Sequence, residues 1–123
     1  MDGERNLLLL AAAVSVGIHA GLAPEHLHEW PPLGAAFVAA AVAESAAVVA
    51  LAARPDSAWP ARGLALLLAS LVVAYYLTRL AALPPLDPER EPLDAVGIVT
   101  TAIETAGLLF VLRLRLIPQG GTR

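Results

Sequence analysis

Three histidines and two glutamates are concentrated in GIHAGLAPEHLHEW, which covers residues 17–30. Imidazole and carboxylate groups together form a ligand set that suits Zn²⁺, Cu²⁺ or iron. The stretch therefore predicts a site for a divalent metal, whose candidate ligands are His19, His26, His28, Glu25 and Glu29. Two other interpretations remain open: an interfacial segment at the level of the lipid headgroups, and a pH-sensing cluster.

Two further acids, Glu44 and Glu104, lie within apolar stretches and are surrounded by small residues and threonines. An acid at the centre of a bilayer costs about 2.5–3.5 kcal/mol on insertion scales, so such residues face the interior of a helix bundle. The predicted intramembrane polar site consists of Glu44, Glu104, His19, Arg79, Ser15, Tyr75 and Thr101. Its functional interpretations are a proton-carrying pair, a cation site or a set of metal ligands. The alternative is a structural polar layer that bridges helices.

Four apolar stretches must position these groups, in a chain that is 58% hydrophobic and only 15% charged. The stretches are Leu7–Ala23, Leu33–Ala53, Gly63–Leu83 and Ala95–Leu112. Each has about the 17–25 residues that a membrane-spanning helix needs, and none shows the polar face of a helix from a soluble bundle. The sequence predicts an all-α fold with four transmembrane helices in an antiparallel bundle, joined by proline-containing loops such as Pro24–Pro32.

The arginines predict the orientation, since positive charges accumulate on the cytoplasmic side of a membrane. Only Arg79 and Arg90 lie on the side of the histidines, and the other arginines flank the opposite side. Both termini are therefore predicted to be cytoplasmic in a multi-pass protein of the inner (plasma) membrane. The histidine cluster is then extracytoplasmic and forms a mouth together with several acids.

The chain also shows an internal repeat when it is shifted by 60 residues against itself. The shift superposes Pro24 on Pro84, Glu29 on Glu89, Pro32 on Pro92, Glu44 on Glu104 and His19 on Arg79. We interpret residues 1–60 and 61–123 as two tandem helical hairpins of a single transmembrane domain, related by a pseudo-twofold axis along the membrane normal. Repeats of this kind occur in transporters.

Three short motifs add a resemblance that covers most of the chain. They are LAPEH at residues 22–26, TRLAALP at residues 78–84 and the Thr101–Glu104 pair of the last apolar stretch. In these features the chain resembles small four-helix integral membrane proteins of high-GC Gram-positive bacteria, although Thr78 and Ala82 replace a serine and a glycine of their pattern. The resemblance implies the topology and selects His19, His26, Arg79 and Glu104 as residues to test. It implies no activity.

The composition excludes several classes of function. The chain has no cysteine, which excludes disulfides and thiolate metal sites. Its net charge of −3 and the absence of a basic patch argue against a nucleic-acid partner. No catalytic motif stands out, so an enzyme is the less favoured class and we assign no catalytic residue.

The first hypothesis is that the protein binds or transports a cation, either a metal ion or a proton. The cation would be collected at the histidine and glutamate mouth and held by the two mid-membrane glutamates. The second hypothesis is a non-enzymatic accessory or assembly subunit of a larger membrane complex. A weaker third is a membrane-embedded enzyme that acts on a lipid or a quinone. Besides the lipid bilayer, the predicted partners are further copies of the chain or a larger complex, because a single small bundle leaves little room for a pore.

Overall fold

The computed structural model describes residues 2–54, 56–86 and 88–116. It contains four α-helices: α1 (Asp2–Glu29), α2 (Pro31–Ala53), α3 (Ala58–Leu80) and α4 (Ala95–Leu116). Each of them is long and apolar enough to cross a membrane. The predicted all-α fold with four apolar helices is therefore confirmed.

The helices pack in a ring. Helix α1 contacts α2 and α4, and α3 contacts the same two helices, whereas the described residues show no packing across either diagonal. An apolar cluster joins the beginning of α1 and α3 to the end of α2 and α4, and it consists of Leu8, Ala12, Leu51, Leu64, Leu68 and Val111. Many large apolar side chains outside this cluster are exposed, which is the pattern expected of helices that face lipid.

The connection between α1 and α2 differs from the prediction. A loop over Pro24–Pro32 was expected, but α1 continues through Pro24 to Glu29, and only Trp30 separates it from α2. A proline within a helix removes one backbone donor, a loss that α1 tolerates about one and a half turns before its end. Pro31 and Pro32 occupy the first positions of α2, where a missing N–H group leaves no hydrogen bond unmade. The outer histidines consequently lie on a helix and not in a loop.

Close backbone contact supports this sharp turn. Gly34 of α2 lies directly against Leu27 of α1, and a Cβ atom at position 34 would overlap the backbone nitrogen and Cα atom of Leu27. The indole Nε1 of Trp30 donates a hydrogen bond to the carbonyl oxygen of Pro85 over 2.8 Å. The α1–α2 turn is thus attached to the connection between α3 and α4.

The second pair of helices also differs from the predicted limits. Helix α3 begins at Ala58, so Pro60 lies in its first turn, and it ends at Leu80, before the predicted Leu83. Helix α4 begins at the predicted Ala95 and continues past the predicted Leu112 to Leu116. At its start, the Asp94 carboxylate accepts a hydrogen bond from the backbone N–H of Gly97 over 2.5 Å. A side-chain acceptor at this position satisfies one of the free donors at a helix N-terminus.

Candidate metal centre and cavity

Three helices each contribute one ionisable side chain to a buried group, which we call the inner centre: His19 of α1, Glu44 of α2 and Glu104 of α4. Atom Nδ1 of His19 lies 3.1 Å from Oε2 of Glu44. Atom Nε2 of the same ring lies 3.6 Å from Oε1 of Glu104. The imidazole therefore stands between the two carboxylates that the sequence predicts to face each other.

Ser15 orients two members of the inner centre. Its hydroxyl donates a hydrogen bond to Oε1 of Glu104 over 3.1 Å, and its carbonyl oxygen lies 2.9 Å from Nδ1 of His19. A carbonyl oxygen can only accept, so this contact assigns the ring proton to Nδ1. The lone pair of a neutral His19 then lies on Nε2, which is the nitrogen that faces Glu104.

Glu44 is the unusual member of the inner centre. Its side chain is completely buried, yet neither carboxylate oxygen has a hydrogen-bond partner among the described residues. Oε2 of Glu44 is instead in ion-pair contact with Nδ1 of His19, over 3.1 Å. A buried polar group without a partner costs about 1–3 kcal/mol. Such a group is rare in a native structure and requires an explanation.

The side chains of the inner centre could hold a metal ion. Each residue offers one ligand atom, and the three atoms lie within 4.8 Å of one another. Two ligand atoms on a tetrahedral zinc ion are about 3.4 Å apart, given bonds of about 2.1 Å. The group is thus wider than an occupied zinc site, and the side chains would have to move together to bind an ion. Within the part of the chain that the structure describes, no other group of three histidine or acidic residues meets this geometry.

A cavity of about 500 Å³ leads from the inner centre towards the end of the bundle that carries the α1–α2 turn. His19 and Glu104 line its deep end, and Glu25, His26 and Glu29 line it near the turn. Most of its wall is apolar and comes from all four helices, including Ile18, Leu22, Leu33, Phe37, Leu71 and Ala74. The cavity therefore connects the predicted outer acids with the predicted intramembrane site.

The remaining predicted residues of the polar site, Arg79, Tyr75 and Thr101, also line this cavity. The Arg79 guanidinium lies over the Tyr75 ring, with Cζ 4.1 Å from the ring centroid, and its Nη1 donates a hydrogen bond to the Thr78 hydroxyl over 2.8 Å. A Cβ atom at Gly97 would come within 2.8 Å of the Tyr75 ring and 3.0 Å of the guanidinium. Glycine at this position is therefore what lets the Tyr75–Arg79 pair approach α4.

The outer histidines are separated by the geometry of α1. Residues two positions apart on an α-helix project in nearly opposite directions. His26 lines the cavity, where its Nδ1 lies 2.9 Å from the carbonyl oxygen of Leu22, whereas His28 is exposed and does not line it. Of the five predicted metal ligands, the structure brings only His19 into a group that could hold a metal ion.

Phe37 is a cavity residue that the sequence reasoning missed. Its ring stacks on His26 with a centroid distance of 4.2 Å and lies 5.6 Å from the His19 ring. It thus separates the outer and inner histidines along the cavity wall. A signal was present, because Phe37 is the one aromatic residue of an alanine-rich helix and precedes Glu44 by two helical turns, on the same face.

Comparison of the chain with protein-family models, with curated proteins and with solved structures finds no match.

Proposed function

We propose that this chain is a four-span membrane protein that binds a divalent cation at the inner centre. The observation that carries the proposal is the buried Glu44 carboxylate, which has no hydrogen-bond partner among the described residues and offers one oxygen within 4.8 Å of a His19 nitrogen and a Glu104 oxygen. A metal ion is the partner that this arrangement lacks.

The charge of the inner centre supports a divalent ion. With both carboxylates ionised and the imidazole neutral, the inner centre would carry a formal charge of −2, and an uncompensated charge in an apolar interior is costly. One divalent ion neutralises that charge and coordinates the Glu44 oxygens at the same time. One nitrogen and carboxylate oxygens are compatible with Zn²⁺, Fe²⁺ or Cu²⁺, and the adjacent cavity leaves room for water to complete the coordination.

The hydrogen-bond pattern argues against a purely structural polar layer. A layer that only bridges helices is expected to pair its members with one another. Ser15, His19 and Glu104 are linked by hydrogen bonds, whereas Glu44 has only the ion-pair contact with His19. The surroundings of His19 also support the proposal, since a ligating histidine usually donates its other N–H group to a carbonyl or carboxylate oxygen. The Ser15 carbonyl has that position beside His19.

The predicted arrangement in the membrane forms part of the proposal. The apolar cluster at the beginning of α1 and α3 and the end of α2 and α4 supports helices that alternate in direction. With both termini in the cytoplasm, the cavity opens to the extracytoplasmic side, and Glu25, Glu29 and His26 form its cation-attracting mouth. The two-hairpin repeat is supported by the approach of Glu44 and Glu104 to the same histidine.

The apolar cluster also bears on transport. Its members, among them Leu8, Leu64 and Val111, close the end of the bundle opposite the cavity and leave none of their surfaces exposed. An ion at the inner centre is therefore accessible from one side in this conformation. Passage across the membrane would require a rearrangement or a second copy of the chain, and we propose binding as the primary activity.

The metal content of protein purified without chelator tests the proposal. We expect about one divalent ion per chain by elemental analysis, and loss of most of it in Glu44→Gln and Glu104→Gln. Glu89→Gln is a matched control, because Glu89 is exposed and does not line the cavity. Wild-type protein that neither contains metal nor binds added Zn²⁺, Fe²⁺ or Cu²⁺ would refute the proposal, as would a Glu44→Gln protein that retains the ion.

A further inference from the structure

We propose that the cavity beside the inner centre binds a second ligand, an apolar molecule that carries a carbonyl oxygen, and that Tyr75 and Arg79 donate hydrogen bonds to that oxygen. Two sources share this chemistry: a quinone and a fatty-acyl ester. The proposal does not depend on the metal ion and is tested independently of it.

The size and lining of the cavity point to such a ligand. Its volume of about 500 Å³ exceeds what an ion and a few waters occupy, and its wall is mostly aliphatic and aromatic. Sites for small organic molecules typically measure 300–1,000 Å³ and combine apolar walls with a few polar groups that fix orientation. Cation access alone would not require the apolar surface that Leu22, Leu33, Phe37 and Leu71 contribute.

Two residues that line the cavity, Tyr75 and Arg79, each carry a donor without an acceptor. The Tyr75 hydroxyl and the Nε atom of Arg79 are buried, and neither has a hydrogen-bond partner among the described residues. Both belong to the stacked pair on α3, one turn apart. A single carbonyl oxygen has two lone pairs and can accept from both groups. One carbonyl oxygen of a ligand would therefore provide the acceptor that both the Tyr75 hydroxyl and the Arg79 Nε–H group lack.

The charge of the lining favours a neutral acceptor over an anion. Alongside Arg79, five acidic residues line the same cavity: Glu25, Glu29, Glu91, Asp94 and Glu104. A free carboxylate or phosphate would meet this excess of negative charge at every position in the cavity. A carbonyl oxygen accepts the two hydrogen bonds without adding charge.

The structure also offers a route from the bilayer. A groove of about 530 Å³ lies between α3 and α4, and exposed side chains such as Tyr76, Leu93 and Ile98 line it. Tyr75 and Thr101 line both this groove and the cavity. These two side chains therefore separate the cavity from a surface that faces lipid, and movement of the Tyr75 ring would admit an apolar molecule directly.

The experiment measures binding of decylubiquinone and of methyl laurate to the protein in dodecyl maltoside, a detergent without carbonyl groups. Decylbenzene, which has an apolar tail and a ring but no oxygen, serves as the reference ligand. We expect saturable binding of about one molecule per chain for at least one oxygen-bearing probe and weaker binding of decylbenzene. The probe that binds identifies the source as quinone-like or ester-like.

Tyr75→Phe keeps the ring and removes only the hydroxyl. We expect it to weaken probe binding about 3- to 10-fold, which corresponds to the loss of one hydrogen bond. Ser70→Ala is the control, because Ser70 lies on the same helix, is exposed, and lines neither the cavity nor the groove. Binding of neither probe, equal binding of decylbenzene, or unchanged binding in Tyr75→Phe would each overturn the proposal. Glu44→Gln should still bind the probe, which separates failure of this inference from failure of the metal proposal.

Discussion

The Ser15 hydroxyl donates a hydrogen bond to Oε1 of Glu104 over 3.1 Å, although the two residues lie 89 positions apart in the chain. This bond connects α1 to α4 at the depth of the inner centre. Because the Ser15 carbonyl oxygen also accepts from His19, a single residue orients two of the three proposed ligands.

Ser15→Ala should therefore weaken metal binding without unfolding the protein. The substitution removes the hydrogen bond that holds the Glu104 carboxylate, and loss of such an outer-shell partner typically lowers metal affinity about 10- to 100-fold. Titration with Zn²⁺ against a competing chelator measures the change. Ser45→Ala is the control, since the Ser45 hydroxyl bonds to the carbonyl oxygen of Ala41 within its own helix. Equal affinities for the two variants would contradict the assigned role of Ser15.

Glu44→Met should abolish metal binding and yet stabilise the metal-free protein. Methionine has a similar volume and removes two buried oxygens that have no hydrogen-bond partner. Relief of that penalty is expected to raise the free energy of unfolding by about 1–3 kcal/mol. Thermal unfolding in detergent with excess chelator tests the sign of the change. A lower melting temperature for Glu44→Met would favour a structural polar layer instead.

The two outer histidines should differ in their effect on metal loading. His26 lines the cavity that leads to the inner centre, whereas His28 is exposed outside it. We expect His26→Ala to slow the uptake of Zn²⁺ by metal-free protein several-fold and to leave the final metal content unchanged. His28→Ala should alter neither quantity. Stopped-flow measurement gives the rate of Zn²⁺ uptake, and elemental analysis gives the final metal content. A lower metal content in His26→Ala would instead show that His26 is a ligand at the mouth of the cavity.

Gly34→Ala should destabilise the fold strongly. The new Cβ atom would overlap backbone atoms of Leu27. Backbone atoms, unlike the end of a flexible side chain, cannot move aside without shifting the helix. Overpacking of this kind costs about 1–3 kcal/mol and sometimes more. Gly21→Ala, in α1, is the matched control because nothing lies within 4 Å of the added atom. Comparable melting temperatures for the two variants would show that Gly34 and Leu27 are not in close contact at the α1–α2 turn.

Hydropathy was sufficient to predict the four helices, because spans of this length and composition leave few alternatives in a membrane. It did not predict their ends. The sequence predicts a loop that starts at Pro24, whereas α1 continues to Glu29. A proline near the end of a helix interrupts few hydrogen bonds, so it need not end the helix. The turn at Trp30 depends on the contact between Gly34 and Leu27, which no local pattern in the sequence reveals.

The inner centre was predicted in part. Spacing along the two apolar stretches placed Glu44 and Glu104 at similar depth, and both are buried beside the same ring. The position of His19 between the two carboxylates could not be derived. The depth of a residue in the bundle follows from counting along its helix, but the direction of its side chain depends on how the helix is rotated when it packs. For the same reason His26 and His28 were assigned to one site, although a helix directs them apart.

Helix α3 supplies none of the three side chains of the inner centre, which come from α1, α2 and α4. It supplies Tyr75 and Arg79, the two proposed hydrogen-bond donors among the residues that line the cavity. The proposed metal ligands and the proposed donors to the second ligand therefore lie on different helices. Substitutions on α3 can change which molecules enter the cavity and leave the proposed metal ligands in place. Selectivity for the cavity ligand and affinity for the metal ion can therefore evolve separately.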